Sequence, residues 1–99
     1  MPTKITLIID NPSDPAEFET VYAEVRRLAA ELPLLRRLES AKVWPKEDGT
    51  PTPAYRTLDL YFDDYESAGA ATTVPAAGRL FGALFQSGVT FTGLFSDIE

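Results

Sequence analysis

Residues 14–33, DPAEFETVYAEVRRLAAELP, decide how the rest of the chain is read. Asp14 can cap the free amides of a helix, Pro15 suits its first turn, and Glu17 follows Asp14 by three residues as in a capping box. Phe18, Val21, Tyr22, Val25, Leu28, Ala29 and Leu32 then return at helical spacing. Glu19, Glu24, Arg26, Arg27 and Glu31 take the opposite face, and Pro33 closes the element. A helix with one apolar face needs an apolar surface to lie on, and the flanking sequence supplies it.

Before the helix, Lys4–Ile9 is β-branched and aliphatic and is closed by Asn11-Pro12, which predicts a strand. Ile5, Leu7 and Ile9 share one side of it; Lys4, Thr6 and Ile8 share the other. After the helix, Leu34–Trp44 reads as a second strand of mixed character. Residues 45–53 hold Pro45, Pro51, Pro53 and Asp48-Gly49, the chemistry of an exposed loop. Tyr55–Phe62 reads as a third strand, with Leu58, Leu60 and Phe62 facing one way and Tyr55, Thr57, Asp59 and Tyr61 the other. Asp63, three residues before Glu66, suggests the capping box of a second helix. That helix breaks at Thr72-Thr73-Val74-Pro75 and resumes through Ala77, Leu80, Phe81, Leu84 and Phe85, with Gly88 as its stop. Val89–Ile98 reads as the last strand.

The order strand, helix, strand, strand, helix, strand is the split β-α-β arrangement, an α+β fold of the ferredoxin-like type (βαββαβ). Right-handed crossovers place both helices on one face of an antiparallel four-stranded sheet. Residues 1–99 are expected to form one such domain. The second face of the sheet is expected to be apolar as well. Ile8, Tyr55, Tyr61, Leu94 and Ile98 all alternate away from the helix-facing rows. A monomer rarely exposes a patch of that size, and pairing two sheets across a two-fold axis covers it. The expectation is therefore a homodimer.

Composition narrows the function classes. Fifteen acids against nine bases give a net charge of −6, which disfavours nucleic-acid backbones and anionic membranes as partners. The chain has no cysteine and no histidine, so thiolate or imidazole metal sites and Ser-His or Cys-His nucleophiles are not expected. Gly78 and Gly82 sit in a helical pattern rather than in a phosphate loop, and no cofactor is expected. The apolar run after Lys4 is too short for a secretory leader and ends at Asp10, so a cytoplasmic location is expected.

Phe18 and Tyr22 four apart, Leu28, Leu32-Pro33 and the strand bearing Arg36-Arg37 resemble the EthD family, as do the Leu58–Phe62 strand, the acid-capped helix after it and the piece opened by Pro75. The family is named for ethyl tert-butyl ether degradation and belongs to the dimeric α-β barrel superfamily. The resemblance implies two ferredoxin-like sheets closing into a barrel. Members usually carry His-x-Pro-Leu late in the first helix. Aligned on Leu32-Pro33, those positions fall on Val25, Arg27 and Leu28, so only the Leu is kept.

Two candidate catalytic residues stand out. Asp59 lies mid-strand on the second face, where a partner sheet would enclose it and where it could act as an acid or base unless Arg37 or Arg56 neutralises it. Tyr22 lies on the buried helix face with a hydroxyl that needs a partner. Tyr22, Val25, Trp44, Tyr55, Tyr61, Phe81, Phe85 and Phe91 are the expected lining of a pocket between the first helix and the sheet, although aromatic residues at such spacings more often build a core. The resemblance then implies a binder of a small apolar ligand, or an accessory protein in a degradative pathway. The alternative is a cofactor-independent monooxygenase or cyclase acting on an aromatic or polyketide-like substrate.

Overall fold

A computed structural model describes residues 1–99. The elements run β1 (Thr3–Ile9), α1 (Pro15–Ala30), β2 (Arg37–Lys42), β3 (Arg56–Phe62), α2 (Tyr65–Ala71), α3 (Pro75–Gln86) and β4 (Phe91–Asp97). The four strands form one sheet in the order β2-β3-β1-β4, with every neighbouring pair antiparallel. This is the ferredoxin-like order expected from the sequence.

Register places the core. Ile5 lies opposite Leu60 and Phe95, and Leu7 opposite Leu58 and Gly93. Ile5, Leu7, Ile9, Leu58, Leu60 and Phe62 are all buried on the face that receives the helices. Phe18, Tyr22, Val25 and Leu28 of α1 and Leu80 and Leu84 of α3 complete the same cluster. Each of these large aliphatic or aromatic side chains contributes about 1.5–3 kcal/mol when fully removed from water.

The helix starts follow their caps. The Asp14 carboxylate accepts the Glu17 N–H at 3.2 Å, and Pro15 occupies the first turn. α1 ends at Ala30, short of Pro33, because the Glu31 and Leu32 amides fold back onto the Leu28 and Ala29 carbonyls. Leu34 then takes φ +66°, a left-handed conformation that a leucine adopts only at a tight reversal. That reversal delays β2 to Arg37, so the second strand is shorter than the expected span of Leu34–Trp44. The second helix is capped by Asp64 rather than Asp63: its carboxylate accepts the Ser67 N–H at 2.8 Å. Asp63 instead pairs with Arg36 through bonds of 2.8 and 2.5 Å. The break before Pro75 is real. Thr72 and Thr73 turn their hydroxyls back to the Gly69 and Ala70 carbonyls, and Pro75 opens α3.

One expectation about the sheet is corrected. Its second face is mostly polar: Lys4, Thr6, Thr57, Asp59, Tyr61, Arg37, Glu39, Thr92 and Ser96 alternate away from the core. Ile8, Ala41 and Leu94 are the aliphatic exceptions. Tyr55 does not belong there, because it precedes β3 and packs its ring edge-on against Phe18, 5.9 Å between centroids. Ile98 lies beyond the end of β4. Alternation holds only inside a strand, so parity does not place Tyr55 and Ile98, which lie just outside β3 and β4, on that face.

Candidate functional site

The β2–β3 connection, residues 43–55, arches over the end of the sheet and encloses an open cleft of about 550 Å³. Its walls come from Asn11, Lys42–Pro45, Thr50–Thr52 and Tyr55. The loop is shaped by its own turn chemistry. Asp48 accepts the Thr50 amide at 3.0 Å and the Thr50 hydroxyl at 2.7 Å, and Gly49 takes φ +78°. Asn11 ties the loop down by donating to the Thr52 carbonyl at 2.7 Å. Trp44 stands at the rim, 87% exposed. An indole left so open on a loop is available to a flat ligand.

Behind the cleft, a polar knot joins α1 to the sheet. Arg56 donates to both Glu19 oxygens, at 3.0 and 2.5 Å, across 37 residues of sequence. Its guanidinium lies 4.4 Å from the Tyr22 ring centroid and 5.9 Å from that of Tyr55. These bonds hold the Glu19 carboxyl below its usual value and push the Arg56 guanidinium further up. The Tyr55 hydroxyl is near enough to Glu19 to favour the carboxylate, yet it is buried without a hydrogen bond of ordinary geometry. Tyr22 is buried, and its hydroxyl shares a 2.7 Å hydrogen bond with Ser40 of β2.

The eight expected pocket residues divide among several places. Trp44 and Tyr55 line the cleft, and Tyr22 and Val25 are core residues of α1. Tyr61 lies on the second face of the sheet, with the Arg37 guanidinium 3.9 Å from its ring centroid and its hydroxyl donating to Glu39 at 2.5 Å. That bond pushes the Tyr61 phenol up and the Glu39 carboxyl down. Phe81, Phe85 and Phe91 form a separate aromatic group at the β4 edge, with Phe85 71% exposed.

Asp59 and Tyr22 are not brought together. Asp59 faces away from the helices, accepts the Thr6 hydroxyl at 2.5 Å and lies 3.8 Å from the Lys4 ammonium. Its cation is therefore Lys4, not Arg37 or Arg56. Arg56 is three residues away in the same strand, and strand parity alone places it on the opposite side from Asp59. Sequence reasoning overlooked Lys42 and the Glu19–Arg56 pair. Glu19 stands among the charged positions of the helix face opposite the apolar one, and no local pattern announces a partner so distant in sequence. No group of three or more acidic, histidine or cysteine side chains is arranged to hold a metal.

No family model matches the sequence. A Rhodococcus erythropolis protein, an uncharacterized 11.0 kDa protein in the thcB-thcC intergenic region, is 32% identical over 99 residues, covering 97% of this chain and 94% of its own. Among solved structures, an EthD family protein from Bacillus halodurans c-125 superposes over the full length of both chains with a TM-score of 0.88 at 19% identity. A dimeric ferredoxin-like protein of unknown function from Thermobifida fusca gives a TM-score of 0.78 at 13% identity, covering 99% of this chain and 92% of that one. SnoaB, a cofactor-independent oxygenase from Streptomyces nogalater, gives 0.75 at 17% identity, covering 99% and 93%. The fold that the resemblance to the EthD family implies is thus borne out over the whole chain.

Proposed function

This chain belongs to the family of the 11.0 kDa Rhodococcus erythropolis protein, and we propose that it binds a small, largely apolar ligand in the cleft beneath the β2–β3 loop, as one half of a homodimer. The observation that carries the reading is the cleft itself. About 550 Å³ falls within the usual range for small-molecule sites, and Val43, Trp44, Pro45, Pro51 and Tyr55 give it apolar walls. An accessory role in the breakdown of small apolar compounds is in keeping with the family name of the Bacillus halodurans neighbour. Binding is favoured over oxygenase chemistry of the SnoaB kind because the cleft offers few groups to move a proton. The Tyr55 hydroxyl is turned away into the interior, and Tyr22 is buried with its hydroxyl committed to Ser40.

The homodimer draws support from the dimeric Thermobifida fusca neighbour. No helix is long and apolar enough to cross a membrane.

Trp44 is the sole tryptophan, so the protein gives one indole N–H signal in a nitrogen–proton correlation spectrum. Titration with a planar neutral probe, 2-naphthamide, is expected to shift that signal saturably. A signal that stays put at millimolar probe, with no rise in melting temperature, would remove the cleft as a binding site.

A further inference from the structure

Lys42 is the only charged side chain lining the cleft, and we infer that the natural ligand is a planar aromatic carboxylate whose acid group Lys42 receives. This rests on the binding role proposed above and names the class of ligand. In a chain with fifteen acids and nine bases, no carboxylate lines this space. A neutral or cationic ligand has no use for that arrangement, whereas an anion meets one cation and no like charge.

Three other polar side chains of the lining already donate within the protein, and the Tyr55 hydroxyl is turned into the interior. Asn11 donates to the Thr52 carbonyl, Thr50 to Asp48 and Thr52 to the Ala54 carbonyl. Lys42 has three donors and, like Arg26, Lys46 and Arg79, makes neither a hydrogen bond nor an ion pair; of these four bases it alone lines the cleft. The carboxylate it feels within the protein, Glu19, is held through both oxygens by Arg56, so it attracts Lys42 only at longer range.

Position supplies the aromatic part of the inference. The Lys42 ammonium lies 5.4 Å from the centroid of the Tyr55 ring, within reach of a cation–π attraction that keeps the side chain along the cleft wall. A flat ring resting between Tyr55 and the exposed indole of Trp44 would carry a carboxylate toward that ammonium.

Paired titrations with 2-naphthoate and 2-naphthamide, which share a ring and differ in charge, test this through the Trp44 indole signal and by calorimetry. At low salt the naphthoate is expected to bind about fivefold more tightly, as one partly exposed ion pair allows, and salt should erode the difference. Lys42→Met should bring the two probes to equal affinity, and Lys42→Arg should keep the preference. Equal binding to the unaltered protein, or a preference that survives in Lys42→Met, would overturn the inference while leaving the cleft a binding site. Failure of both probes to bind would remove the cleft and the inference together.

Discussion

Replacing Arg56 with methionine tests whether the knot behind the cleft fastens α1 to the sheet. Met keeps an unbranched apolar stem, so little packing is lost. What disappears is the two-pronged bond to Glu19 and the guanidinium over Tyr22. A hydrogen bond to a charged group contributes about 1.5–3 kcal/mol in a sheltered setting. The Arg56 side chain is 14% exposed but that of Glu19 is 37% exposed, so water screens the pair toward the lower surface values and leaves about 1 kcal/mol. The cation over an aromatic ring adds about 0.5–1 kcal/mol. Arg56→Met should therefore cost about 2 kcal/mol, or about 10 °C in melting temperature for a domain of this length.

A double-mutant cycle with Glu19→Gln isolates the pair, and urea unfolding should return a coupling of about 1 kcal/mol at pH 7. The sign with pH is set by Glu19. Its pKa lies below the ordinary 4.5 because Arg56 bonds to its carboxylate. The pair's contribution is thus complete above pH 4.5 and is lost as pH falls through the lowered folded value. A coupling near zero at pH 7, or one unchanged after Glu19 is protonated, would refute the reasoning.

Two further outcomes are expected. Sedimentation at micromolar concentration should show a dimer, and Leu94→Lys, on the second sheet face and 45% exposed, should yield a folded monomer; a monomeric parent protein or a fully dimeric variant would sink the two-fold pairing. Asp64→Ala should lower the melting temperature by about 5 °C through loss of the α2 cap, and Asp63→Ala by much less because it breaks only an exposed pair with Arg36; the reverse order by calorimetry would mean the cap is misassigned.

The sequence was sufficient for element order, and through it for topology. Phe18, Tyr22, Val25 and Leu28 repeat with the helical period, Ile5, Leu7 and Ile9 with the strand period, and both are properties of neighbouring residues. The break before Pro75 was legible for the same reason, since proline and its preceding residue act locally. Strand ends were not legible. Leu34 and Tyr55 look like strand residues by type, but one reverses the chain at positive φ and the other turns its ring to Phe18. The candidate site was half visible: Trp44 and Tyr55 announced themselves as aromatic residues beside a proline-rich loop. Glu19, Arg56 and Lys42 did not, because a charge pattern along a chain says nothing of which charges meet. Only packing α1 onto the sheet sets Glu19 against Arg56, and only the arch of residues 43–55 sets Lys42 in the wall of a cleft beside the Tyr55 ring. Period is encoded locally, whereas pairing between distant side chains depends on the tertiary structure that brings them within reach.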